Sequence, residues 1–347
     1  MKKLLAIVVF ILTLVGCANQ TLEEDKEIET PKVEEKDQDL DEEEKIAETP
    51  QFDEVSFDML IPDGSTAMAL THFKSTMPNL GDHVKYTISS YTEGSDALAD
   101  AFTSETSQVI VAPTNLGATL YQQGVPYQLV ASLVWGDLYL ISQESLNFDD
   151  LAGKKITTFG EGSTPDIVLQ CILKEKGLLD SVEIEYLPSV ADVQARFASG
   201  ETEIAVIAEP SLSVLKTTMD HVNVVMDFQE QWRELYGGNS YPQVSLFVHK
   251  DLIENHQEVI EPLLAQIDAS ISFANESTEE MANEAIQIGF EMPENSIIES
   301  IPQSNLMFKT AENACVEVDS YLKKLYEFNP ETVGGSLPNE DFYYFVN

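Results

Sequence analysis

Three short stretches carry residue types that hold a small ligand without bonding to it covalently. Gly160-Glu161-Gly162-Ser163-Thr164-Pro165-Asp166 follows an apolar run, Ile156 to Phe159, and precedes a helix-periodic run that ends at Gly177. The glycines permit a sharp turn, Ser163 suits a hydroxyl cap, Pro165 suits a first helical turn and Asp166 suits its positive end. A strand, a glycine turn and a helix start leave free backbone N–H groups at the carboxyl edge of a sheet, where open α/β folds bind small ligands. A well-capped turn that binds nothing has the same string. Asp63-Gly64-Ser65-Thr66 and Pro113-Thr114-Asn115 repeat the arrangement, and Glu209 stands at a fourth strand end. Trp135, beside Gly136, suits either a flat apolar wall for a ligand or the core of a hinge.

Covalent and metal chemistry is less well served. His72, His83, His221, His249 and His256 are scattered, without ligand spacing to a cysteine or acid cluster, and no serine lies in a nucleophile-elbow pattern. No catalytic residue, metal site or cofactor is expected. Small anions need several donors or cationic groups around the charge, yet Arg196 and Arg233 are the only arginines after Gln51. Arg196 shares a helix with inward Val193 and Phe197 and is expected to face solvent. Asp63, Glu161 and Glu209 favour a neutral heterocycle with N–H donors, or a cation. Backbone N–H groups and hydroxyls keep an anion open.

The elements that must position these groups alternate between strand and helix. Val55 to Ile61, Val84 to Tyr91 and Val109 to Ala112 read as strands separated by helices, and Tyr127 to Val134 and Leu138 to Ser142 as two more strands around a glycine break. The order repeats after Gly153, with strands at Ile156 to Phe159, Val182 to Leu187, Glu203 to Ala208 and Val222 to Phe228. Gln243 to Val248 is extended. Helices then dominate, at Leu252 to Ala274, Thr278 to Ile288 and Ala311 to Phe328. Such alternation implies parallel sheets with right-handed crossovers. In a chain of 347 residues it implies two α/β lobes, because one core rarely grows past about 250 to 300 residues.

Sixty acidic against 19 basic residues give a net charge of −41, which repels nucleic acid and anionic surfaces; no nucleic-acid partner is expected. Lys2 and Lys3, the apolar stretch Leu4 to Val15, and Leu14-Val15-Gly16-Cys17 resemble a lipoprotein signal, in which the cysteine receives the lipid. Residues 1–17 are therefore read as a signal peptide with a lipobox. Residues 18–50 form an acidic tether too poor in apolar residues to fold. Cys171 and Cys315 lie on apolar helix faces and are expected to be separate buried thiols in different lobes.

Gly153-Lys154-Lys155-Ile156, Gly162-Ser163-Thr164-Pro165-Asp166, Lys176-Gly177-Leu178 and Ala205-Val206-Ile207-Ala208-Glu209-Pro210, with the lipobox, resemble solute-binding proteins of bacterial ABC importers. The group is the nitrate, sulfonate, taurine and thiamine-precursor type, NMT1/THI5-like. The resemblance implies a two-lobed, type II periplasmic-binding-protein-like α/β fold hinged on two crossover segments, near Ser142–Asp150 and Tyr241–Val244. Lobe I would comprise 51–144 and 243–347, and lobe II 145–242. The implied protein is a monomer, lipid-anchored through Cys17 on the outer face of the bacterial cytoplasmic membrane. It would deliver a small organic solute, such as a pyrimidine or thiamine-precursor-like heterocycle or a cation, to an ABC permease and ATPase. A sulfonate- or nitrate-type anion is the alternative, as is a fold-related pyrimidine synthase or dehydratase-like enzyme.

Overall fold

The structure is a computed structural model that describes residues 53–91 and 95–346. The expected signal peptide, Cys17 anchor and acidic tether lie outside the described residues. The chain divides into Met1–Gln51 and Phe52–Asn347, and the second unit holds everything described below.

Strand β1 (Val55–Pro62) turns at Gly64 into two short helices, α1 (Ser65–Ala69) and α2 (Thr71–Thr76). Next come β2 (Val84–Tyr91), α3 (Ser95–Thr103), β3 (Val109–Pro113), α4 (Thr114–Gln122), β4 (Tyr127–Val134) and β5 (Leu138–Ser142). The chain continues with β6 (Lys155–Phe159), α5 (Thr164–Glu175), β7 (Glu183–Leu187), α6 (Val190–Ser199), β8 (Ile204–Ala208), α7 (Ser211–Thr218), β9 (Asn223–Asp227) and α8 (Phe228–Tyr236). After β10 (Val244–His249) it is mostly helical: α9 (Lys250–Asn255), α10 (Gln257–Glu276), α11 (Thr278–Gln287), α12 (Glu294–Ser300), then β11 (Leu306–Thr310) and α13 (Ala311–Phe328).

Two sheets result, a six-stranded one in the order β11-β4-β10-β3-β1-β2 and a five-stranded one in the order β7-β6-β8-β5-β9. β1 pairs in parallel with β2 and β3, and β6 with β7 and β8. β10 and β5 run antiparallel to their neighbours. This is a mixed α/β fold of two lobes. Central strands such as β3, β8 and β10 are nearly continuous apolar runs because both faces are covered, whereas β1 alternates buried Val55, Phe57 and Met59 with exposed Ser56 and Asp58.

Strand pairing moves one expected boundary. The first lobe read as 51–144 includes β5, but β5 lies between β8 and β9 in the second sheet, so the first crossing falls at Trp135–Asp137 and not near Ser142–Asp150. All five residues of β5 are buried, and an apolar strand of that kind needs a partner on each side. The return crossing is the segment between Tyr236 and Val244. Gly136 in the first crossing has φ +88, and a Cβ there would meet Gln229 Cγ at 2.6 Å and Tyr241 Cζ at 2.8 Å. The hinge thus packs backbone directly against side chains of α8 and the return crossing.

The core has three parts. One lies between the outer face of the first sheet and helices α1, α2 and α9 to α12. Another, small, lies between the second sheet and helices α6 and α7. The third is shared: Leu129 and Phe247 of the first sheet, Leu140 and Val206 of the second, and Val318, Tyr321 and Leu325 of α13 belong to one cluster. Cys171 belongs to it and Cys315 packs against it; both are free thiols. Cys171 lies on α5, which follows β6 of the second sheet, and Cys315 on α13, which packs on β4 and β11 of the first sheet and on α5.

Candidate functional site

The junctions singled out in the sequence converge. Asn115, in the first turn of α4, and Thr164, the first residue of α5, come from different sheets, yet the Thr164 hydroxyl donates to Asn115 Oδ1 at 3.0 Å. Asn115 Nδ2 donates to the Thr332 carbonyl at 3.3 Å, and the Tyr321 hydroxyl donates to Thr164 Oγ1 at 3.4 Å. Thr114 is fully buried, its hydroxyl 2.8 Å from that of Ser245, and its N–H donates to the Gln243 carbonyl at 2.9 Å. Two helix N-termini therefore point at one meeting place, each at the carboxyl end of a parallel strand, where partial positive charge collects.

Asp137 is the residue that local sequence did not single out. It sits in the first crossing, 3% exposed. The Ser65 hydroxyl of α1 donates to its Oδ2, and Gln243 Nε2 of the return crossing donates to Oδ1 at 2.7 Å. Its carbonyl accepts from Glu209 N–H at 3.0 Å. Glu209 is 2% exposed and accepts from Ser213 N–H at 3.2 Å and from the Ser213 hydroxyl at 3.1 Å. No cation acts on Asp137, whereas Lys216, on the helix α7 that follows Glu209, acts on Glu209. Loss of hydration pushes Asp137 up from 3.8 to about 6 and Glu209 from 4.5 to about 7, against the opposing pull of their hydrogen bonds, and the neighbouring Asp137 charge adds to the rise at Glu209.

Other predicted residues take different places. Asp63, Glu161 and Gly162 are exposed, while Gly64, Pro113 and Ser163 are partly buried. Ser65 and Thr66 are buried at the head of α1. Ser163 occupies the N-cap position of α5, but its hydroxyl donates to the Gly160 carbonyl at 2.6 Å instead of capping the helix. Asp166 stabilises the loop, accepting from Gly162 N–H at 2.9 Å and from the Tyr186 hydroxyl at 2.8 Å. Trp135 is 1% exposed, donates from Nε1 to the Met307 carbonyl at 2.8 Å and carries Lys309 Nζ 4.6 Å from a ring centroid. Of its two readings, the hinge-core one fits these surroundings. Arg196 is ion-paired with Glu185 at 3.4 Å and Glu201 at 3.7 Å.

Gln229 and Tyr139 complete the region. Gln229 is fully buried; its Oε1 accepts from Leu138 N–H at 3.0 Å and from the Tyr241 hydroxyl at 2.8 Å, and its Nε2 makes no hydrogen bond. The Tyr139 hydroxyl donates across the lobes to the Gln303 carbonyl at 2.7 Å. Two surface cavities lie elsewhere. One of about 440 Å³ is lined by Glu54, Glu105, His249 and His256, at the opposite edge of the first sheet. The other, of about 430 Å³, lies between Met77 and Tyr86. His249 caps α9, accepting from Asp251 N–H at 3.1 Å. Among the described residues no group of three or more His, Cys, Asp or Glu side chains is placed to hold a metal ion.

A family model described as NMT1/THI5 like matches residues 86–281. By sequence, no curated protein matches the chain. By structure, an ABC transporter protein from Parabacteroides distasonis superposes with a TM-score of 0.73 at 19% identity, over 84% of this chain and 99% of that one. The periplasmic aliphatic sulphonate binding protein SsuA from Escherichia coli gives 0.67 at 17% identity, over 84% and 92%. The periplasmic nitrate-binding protein NrtA from Synechocystis PCC 6803 gives 0.58 at 13%, over 82% and 85%.

Proposed function

Because the chain belongs to the NMT1/THI5-like family, we propose that it is an extracytoplasmic solute-binding protein that hands a small organic solute to the permease and ATPase of an ABC importer. The observation that carries this reading is the convergence of strand-end junctions from two sheets, with Asn115 and Thr164 in direct contact at 3.0 Å. A solute entering between the sheets replaces such contacts with its own. The lobes then open and close about the two crossings, Trp135–Asp137 and the segment before Val244. We assign one lobe to the sheet built from 55–134 and 244–310, and the other to the sheet built from 138–227. The proposed contacts come from residues 63–66, 113–115 and 161–164, with Glu209. The role is binding, without a chemical step.

A heterocycle bearing N–H donors, of pyrimidine or thiamine-precursor kind, or a cation fits the acids at the site: Asp137 and Glu209 inside, Asp63 and Glu161 exposed. A sulfonate or nitrate is the second reading, favoured by the helix N-termini of α4 and α5 and by the ligands named for SsuA and NrtA. Anchoring through Cys17 on the outer face of the cytoplasmic membrane belongs to the same proposal. Among the described residues no helix is long and apolar enough to cross a membrane. Titration calorimetry against pyrimidines, amines, sulfonates and nitrate tests the reading. Asn115→Ala and Glu161→Ala should each weaken the bound solute by about tenfold or more, with Arg196→Ala unchanged. A site that binds none of these solutes, or one indifferent to Asn115→Ala, refutes it.

A further inference from the structure

Resting on that reading, the chemistry of the site can be narrowed. Asp137 and Glu209 are both more than nine-tenths buried, adjacent through the Glu209 N–H to Asp137 carbonyl bond of 3.0 Å, and hydrogen-bonded only to neutral donors. Each carboxylate has about four acceptor positions, and the hydrogen bonds described occupy two on each. A pair of desolvated acids in which Lys216 acts on Glu209 and no cation acts on Asp137 is costly to hold. Beside them lies a donor without a partner: Gln229 is fully buried, its carbonyl is used by Leu138 N–H and the Tyr241 hydroxyl, and its Nε2 is not bonded. Loss of hydration first, then the charges of Asp227, Glu209 and Asp137, push the Tyr139 hydroxyl up, and Gln229 opposes the rise. Tyr139 itself reaches across to Gln303 of the other lobe. Spare acceptors on Asp137 and Glu209 and a spare donor on Gln229 therefore lie around the first crossing, and the two arginines of the body are occupied elsewhere, Arg196 with Glu185 and Glu201 and Arg233 with the Asn239 carbonyl.

We infer that Asp137, together with Glu209, anchors a positively charged N–H-bearing group of the solute, an ammonium or amidinium, while Gln229 Nε2 donates to an acceptor on the same molecule. An N–H-bearing cation satisfies the spare carboxylate positions and supplies countercharge at Asp137. An acceptor one or two bonds away, as in an aminopyrimidine or an amino amide, takes the Gln229 proton. Asp137 is then a specificity residue: it selects cations and rejects sulfonate and nitrate by repulsion at short range.

The test uses the full chain in detergent and thermal melting against alkylamines, amidines, aminopyrimidines, alkanesulfonates and nitrate, since a ligand of the folded state raises the melting temperature by mass action. The expected result is stabilisation by a cationic or aminopyrimidine probe. Its affinity falls roughly 10- to 100-fold in Asp137→Asn and in Glu209→Gln and is unchanged in Arg196→Ala. Asp137→Asn should itself melt no lower than the parent, because it removes a buried charge. Stabilisation by a sulfonate or nitrate alone overturns the inference and leaves the receptor reading standing. Silence from every probe overturns both. Cation binding that survives in both acid variants, with Asp137→Asn melting well below the parent, makes Asp137 a hinge strut and also overturns the inference.

Discussion

Raising the pH from 4 to 8 should destabilise the folded body through two carboxylates. Burial moves Asp137 from 3.8 to about 6 and Glu209 from 4.5 to about 7, so the folded state holds these protons more tightly than the unfolded chain. Stability from such a group is fully present below the unfolded value and is lost as pH rises through the folded one, here between about 4 and about 7. At about 1.4 kcal/mol for each tenfold in proton affinity, each acid accounts for about 3 kcal/mol. Each raises the other's cost, so the pair together is on the order of 3 to 6 kcal/mol. General acidic repulsion in a chain of net charge −41 slopes the same way. The measurement is therefore a difference: urea unfolding of the parent and of the Asp137→Asn/Glu209→Gln double variant at steps across the range. The variant should gain on the parent as pH rises, by the amount above, with the change complete near pH 8. A gap that stays constant means these carboxylates are hydrated in the folded protein. A gap that shrinks with pH means a cation pairs with them. Either result refutes the electrostatic account of the site.

Other outcomes follow from particular contacts. Gly136→Ala should cost about 1 to 3 kcal/mol by chemical denaturation, because φ is +88 and the new methyl overlaps Gln229 and Tyr241 at 2.6 and 2.8 Å; a neutral result would show that the first crossing relaxes freely. Maleimide should label Cys171 only after unfolding, since burial holds its thiol up to about 12, and both Cys171 and Cys315 should react in denaturant without a reductant; a missing thiol there would mean a disulfide. Cys17→Ser should leave the chain as an unprocessed or shed precursor that still binds solute in calorimetry, and a processed, membrane-bound product would show that Cys17 is not the lipidated residue.

The sequence by itself determined the local parts. Strands β2, β4 and β5 and helices α11 and α13 start and stop within a residue of the positions that periodicity, glycine and proline indicate, because those signals act over a few neighbouring residues. The junctions Asp63–Thr66, Pro113–Asn115 and Glu161–Thr164 were visible for the same reason, each being a strand end followed by helix-start chemistry. Three elements were missed. Helix α8 hid in a polar run whose inward residues are Phe228, Gln229 and Trp232. The short α12 and the five-residue edge strand β11 carry little periodic signal, and β11 is fixed by pairing with β4 far away in the chain. Tertiary structure alone decided that β5 changes sheets, that α13 joins both lobes in one core, and that Asp137 is buried. Nothing in Trp135-Gly136-Asp137 distinguishes a surface acid from a desolvated one. The difference is made by Ser65, Glu209 and Gln243, which come from other parts of the chain and displace the water that would otherwise hydrate it.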